Sequence, residues 1–164
     1  MIYWSPHHPS PNGGTRVTAQ SVKFLTQQQT QDLADLAEQA RLALTEFAGG
    51  EVRPDGTALQ LLDEMIDRHL KHSPAPSYRL RLSWASFLGE VFRQHHRGIW
   101  VIASQEGGRP ELSILCTVGD TARPIIVNVT EDVNRRISQG MAASLSYAYV
   151  AARIELATAE GAAE

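Results

Sequence analysis

The hydrophobic period of this chain changes at Gly98, and that change limits what it can fold into. Upstream, Leu80, Trp84, Phe87, Leu88, Val91, Phe92 and His95 recur at three- and four-residue intervals, which places them on one broad apolar arc of a helix. Downstream, Ile99–Ser104 is an extended run, and Leu112, Ile114, Cys116 and Val118 alternate with Ser113 and Thr117 as the two faces of a strand do. The stretch Glu106-Gly107-Gly108-Arg109-Pro110 between them has the composition of a hairpin loop. A helix that runs straight into a strand pair predicts an α+β fold with that helix at its centre.

The same helix carries Leu82, Ala85, Ser86 and Gly89 on another side. Three of these four are small, so a second element is expected to approach the axis closely there. That approach is a reason to tolerate Gly89, which costs up to about 1 kcal/mol against alanine inside a helix.

The remaining elements follow from caps and breakers. Residues 1–20 are rich in Pro, Ser, Gly and His and are expected to be an irregular segment ahead of a single domain over 21–160, with Ile2, Tyr3 and Trp4 as apolar anchors. Thr26 with Gln29, or Thr30, opens a helix that carries Leu33, Leu36, Ala37, Ala40, Leu44 and Phe47 and ends at Gly49-Gly50. Asp55 or Thr57 opens a second, with Leu61, Leu62, Met65, Ile66, His69 and Leu70 on its apolar side, stopped by Pro74 and Pro76. Ser77 caps the central helix. Pro124–Val129 is read as a third strand, completing a three-stranded antiparallel meander in sequence order. Thr130 then caps a short helix ending at Gly140, and an alanine-rich helix runs from Met141 to about Glu160. Its small residues make it the expected partner of the Gly89 side.

Composition excludes several classes of function. The 164 residues carry a formal charge of −3, without the basic surface that nucleic acid or an anionic membrane requires. No segment approaches the roughly 20 consecutive apolar residues of a membrane span, and a single cysteine, Cys116, leaves no intrachain disulfide. The expectation is a cytoplasmic protein that uses neither a membrane nor nucleic acid.

Glu90 is the first candidate for chemistry, because it sits at the edge of the apolar arc, where burial would raise its pKa unless a cation such as Arg93, Arg135 or Arg136 pairs with it. His95 is the second catalytic candidate. His69 and His72, three apart on one helix, form a metal-ligand spacing to which His95 would add a third ligand, yet neither HExxH nor paired Glu-x-x-His is present. No metal or other cofactor is therefore expected. Cys116 reads as an inert core thiol. Arg93, Arg97, Arg135 and Arg136 are read as solvated or paired.

Phe87-Leu88-Gly89-Glu90-Val91, Gly98-Ile99-Trp100-Val101, Pro124 ahead of a strand, and Val133-Asn134-Arg135-Arg136-Ile137 before Gly140 together resemble a group of small bacterial domains of unknown function. The resemblance covers roughly residues 57–150 and implies a fold and a bacterial source, without any catalytic residue. The leading functional expectation is a non-enzymatic accessory or regulatory domain acting through protein contact. The alternatives are a small hydrolase or metal-assisted enzyme using Glu90 with His95 or His69, and a small-molecule sensor. The uncharged strand IWVIAS, placed at a sheet edge by a three-stranded meander, would be covered by residues around Ile2–Trp4 or by a second copy, and a homodimer is the favoured expectation.

Overall fold

The computed structural model describes residues 2–3, 21–105, 107–117 and 124–161. Helix α1, Gln27–Ala48, begins with a reciprocal cap: the Thr26 hydroxyl accepts from the Gln29 amide at 3.2 Å, and the Gln29 side chain accepts from the Thr26 amide at 2.9 Å. Two otherwise orphaned donors are thereby satisfied. The helix ends where Gly49 adopts a left-handed conformation, φ 71°. Helix α2, Gly56–His72, is capped by Asp55, whose carboxylate accepts from Ala58 N at 3.0 Å. Helix α3, Tyr78–His95, is capped by Ser77, and all ten residues from Ser83 to Phe92 are buried. Burial around the whole circumference makes α3 the central helix, with α1 along one side and the sheet against another.

The fold is α+β, and its antiparallel sheet is larger than a three-stranded meander. Strands β3 (Gly98–Ser104), β4 (Glu111–Cys116) and β5 (Ile125–Val127) pair in sequence order. Two more strands lie beyond β3: β2 (Ser21–Phe24) pairs with it, and the two-residue β1 (Ile2–Tyr3) pairs with β2. The IWVIAS strand is thus an inner strand, with Val22 opposite Ala103 and Phe24 opposite Val101. Four residues are too few for a period to register, which is why the sequence conceals β2. The edge on which the homodimer expectation rested is covered by this chain's own backbone. Residues 4–20, the rest of the segment expected to be irregular, and the turn 119–123 lie outside the described residues.

Trp100, Ile114 and Cys116 point from the sheet into the helical core, and Val101 and Ala103 form a small separate cluster on the opposite face with Val22, Leu115 and Ile126. Gly89 is explained by Trp100 and not by the last helix. A Cβ at position 89 would lie 2.0 Å from the indole Cη2 of Trp100. The close approach is real, but its partner is a side chain of the sheet.

Helix α4, Val129–Gln139, starts one residue earlier than its expected cap. Asn128 accepts from Glu131 N at 2.9 Å and so takes the capping role, while the Thr130 hydroxyl donates to the Leu112 carbonyl at 3.3 Å and ties α4 to β4. The expected third strand consequently stops at Val127. Gly140, φ 68°, ends α4, and the single last helix expected from Met141 is instead a 3₁₀ turn, Gly140–Ala143, followed by helix α5, Leu145–Gly161.

Candidate functional site

Glu90 is 4% exposed, and one carboxylate oxygen is bound by Arg93 Nε one helical turn on. Its other oxygen, Oε1, has no hydrogen-bond partner. Arg93 thus gives the buried carboxylate a charged hydrogen-bond partner.

His69, His72 and His95 do not converge. His69 stands T-shaped to Trp84 with ring centroids 5.6 Å apart, and His72 Nδ1 lies 3.0 Å from the Arg68 carbonyl. His95 Nε2 lies 3.0 Å from the Pro54 carbonyl, just ahead of α2. His69 belongs to the last turn of that helix, so at 1.5 Å rise per residue about 20 Å of helix separates the two positions. Among the described residues no group of three or more His, Cys, Asp or Glu is placed to hold a metal ion.

His95 does meet other polar groups, in a shallow cleft of about 320 Å3 with Asp55, Gly56, His96, Tyr149 and Arg153. A carbonyl only accepts, so the His95 proton sits on Nε2 toward Pro54. His96 Nε2 and the Tyr149 hydroxyl are 3.0 Å apart. Burial, then the charge of Arg153, holds His96 below its ordinary pKa, and burial raises the Tyr149 phenol. Both are neutral near pH 7, and the pair is one neutral hydrogen bond. Among the described residues lining the cleft there is no serine, threonine or cysteine to serve as a nucleophile.

The largest buried polar cluster among the described residues escaped the sequence reading. Arg136 is fully buried, and its guanidinium donates to the Asp63 carboxylate and the Asp63 carbonyl, each at 2.9 Å, and to Asp67. Asp63 also accepts from Leu145 N at 2.9 Å, Ser146 N at 3.0 Å and the Ser146 hydroxyl at 2.9 Å. A carboxylate from α2 therefore sits on the positive end of α5 while an arginine from α4 neutralises it. Four donors saturate its two oxygens, and three helices are tied at one point. Arg136 is thus paired inside the domain, and Arg135 pairs with Glu131. In the first turn of α4, burial pushes the Asp132 carboxyl up to about 6 despite Arg135 nearby.

The tie fixes how α5 presents itself. Leu145, Tyr149 and Leu156 are buried against the domain, while Tyr147, Val150 and Ile154 are 71%, 48% and 62% exposed. These three recur at i, i+3 and i+7, with half-buried Ala151 and exposed Ala157 continuing the stripe. A helix apolar on both faces is normally enclosed on both, so the outer face is the feature that solvation does not explain. Its sequence signal was available: alanine, leucine, valine, tyrosine and isoleucine fall around most of the helix circumference between 145 and 157.

Cys116 is fully buried, and burial pushes its thiol up to about 12. The thiolate, which is the reactive form, is therefore scarce at neutral pH. Iodoacetamide is expected to leave the folded protein unlabelled at pH 7.5 and to label it fully in denaturant; rapid native labelling would contradict this placement.

No helix among the described residues is long and apolar enough to cross a membrane. Compared with family models, curated proteins and solved structures, the chain matches none, and the resemblance of residues 57–150 to a group of bacterial domains is without a matching family model.

Proposed function

We propose that this chain is a non-enzymatic interaction domain, that the outer face of α5 is its contact surface, and that a second copy of the chain occupies it. The observation that carries the reading is the exposed stripe of Tyr147, Val150 and Ile154 on a helix whose opposite face is already packed. Fully burying a side chain of the Val or Ile kind is worth about 1.5–3 kcal/mol, so closing this face supplies a driving force for association.

The spacing favours self-pairing. In an antiparallel pair related by a two-fold axis at position 152, Val150 meets Ile154 of the other copy, and large Tyr147 meets small Ala157. Large against small is what an interdigitated helix pair needs, and an isologous contact requires only one such patch. This surface replaces the strand edge as the basis for a homodimer. The acid–base alternative requires Glu90 and a histidine to share a cleft, whereas Glu90 is held by Arg93 and His95 faces the Pro54 carbonyl.

Sedimentation equilibrium at micromolar concentration tests the proposal. The native chain is expected to be dimeric and Ile154→Glu monomeric, with the same melting temperature for the monomer fold because Ile154 is 62% exposed. A native chain that is strictly monomeric, or a variant that dimerises equally well, would overturn it.

A further inference from the structure

Helix α5 meets the start of α2 and the end of α3 at one side chain, Tyr149. The residue is 5% exposed. Its ring stands T-shaped to Phe92 with centroids 5.0 Å apart, and its hydroxyl lies 3.0 Å from His96 Nε2 at the C-terminal end of α3. On the α2 side it is so close that a Cβ at Gly56 would lie 2.7 Å from Tyr149 Cε1. A side chain packed this tightly on two elements transmits what happens to either of them.

The polar groups around His96 are mostly basic. Arg153, one turn along α5, has its guanidinium carbon 5.8 Å from the Tyr149 ring centroid, and His95 is the neighbour on α3. Two carboxylates are near. Asp55 lines the same cleft but accepts from Ala58 N as the cap of α2, and Glu160 acts on His96 more weakly than Arg153 or His95. Among the described residues no carboxylate is hydrogen-bonded to His96, whose side-chain partner is the neutral phenol.

We propose that the His96–Tyr149 contact is an acid-sensitive latch: protonation of His96 adds a cation beside Arg153 and His95 in a half-buried position, and loosens α5 from α2 and α3. The hydrogen bond itself survives, with Nε2–H donating to the phenol oxygen. The cost is electrostatic. Burial first, then Arg153 and His95, make the proton less welcome in the folded chain than in the unfolded one, so His96 titrates below its ordinary value. The latch therefore contributes fully above about pH 6.5, the ordinary histidine value, and its contribution is lost as pH falls from there through the lower folded value. Asp132 acts in the opposite sense, because a carboxyl raised to about 6 favours the folded state as pH falls. Whole-protein melting mixes the two, so the readout has to be local.

The test is amide hydrogen exchange in α5 around Tyr149 between about pH 7.5 and 5.5, corrected for the intrinsic pH dependence of exchange. It is made in Ile154→Glu, so that loss of association through the outer face of α5 does not imitate the effect. Local opening is expected to become roughly twofold or more easier on acidification with His96 present, and to stay flat in His96→Gln, which keeps a hydrogen-bonding group for Tyr149 and does not titrate. The His96 ring, followed by NMR in the native chain, should titrate below the ordinary histidine value, and Arg153→Gln should move it upward. Parallel exchange profiles with histidine and glutamine at position 96, a native His96 midpoint at or above the ordinary value, or a midpoint unmoved in Arg153→Gln would overturn the proposal.

Discussion

Replacing Asp63 by alanine is expected to destabilise the protein by about 3–5 kcal/mol, the range for breaking a buried ion pair by removing one partner. The loss is large because the carboxylate has two roles. Without it, fully buried Arg136 keeps only Asp67, which is 42% exposed, as a charged partner. At the same time the amides of Leu145 and Ser146 lose their acceptor at the start of α5. Arg136→Met is expected to cost less, because Asp63 then retains three donors from Leu145 and Ser146 and the methionine fills most of the vacated volume. Against a typical total stability of about 5–15 kcal/mol, the alanine variant should show a strongly reduced urea midpoint. A midpoint equal to that of the native chain, or a larger loss in Arg136→Met, would contradict the role given to Asp63.

Gly89→Ala is expected to destabilise by about 1–3 kcal/mol or more, as overpacking of a core does. Two effects oppose each other at this position. Helix propensity favours alanine by about 1 kcal/mol, but the added Cβ would lie 2.0, 2.4 and 2.8 Å from three ring carbons of Trp100. Trp100 is 2% exposed and has no room to retreat, so sterics decide the sign. Gly89→Leu should cost more again. Ser86→Ala, which removes one hydrogen bond to the Leu82 carbonyl, should cost much less. Trp100→Phe combined with Gly89→Ala should be less destabilised than the two single changes added together, because the smaller ring relieves the clash. Strict additivity in denaturant midpoints would remove Trp100 as the cause.

The helices were legible in the sequence because their signals are local. Thr26, Asp55 and Ser77 cap the helices they precede. The arc from Leu80 to Phe92 and the alternation from Leu112 to Cys116 likewise lie in the expected elements. What stayed hidden depends on contacts between distant residues. Strand β2 is a strand chiefly because β3 lies beside it, and a four-residue run carries too little periodicity to announce that pairing. Asp63 looks like any polar residue on α2 until α5 is placed on top of it, 82 residues later in the chain. Gly89 did signal a close approach, but spacing alone does not distinguish a neighbouring helix from an indole on the sheet. The candidate residues divide the same way: Glu90 and its same-helix partner Arg93 were both legible, while the histidine partners Pro54 and Tyr149 depend on how distant segments meet.

The contact surface on α5 is tested most directly by disulfide trapping. With a two-fold axis at position 152, each Ala151 is offset from its mate by two residues, about 3 Å along the helix, whereas each Ala157 is offset by ten, about 15 Å. A disulfide requires Cα atoms within about 7 Å of each other, and buried Cys116 is no competitor for oxidation. The account predicts that Ala151→Cys forms a covalent dimer under mild oxidation and that Ala157→Cys remains monomeric on a denaturing gel. Equal cross-linking at both positions, or none at 151, would contradict it.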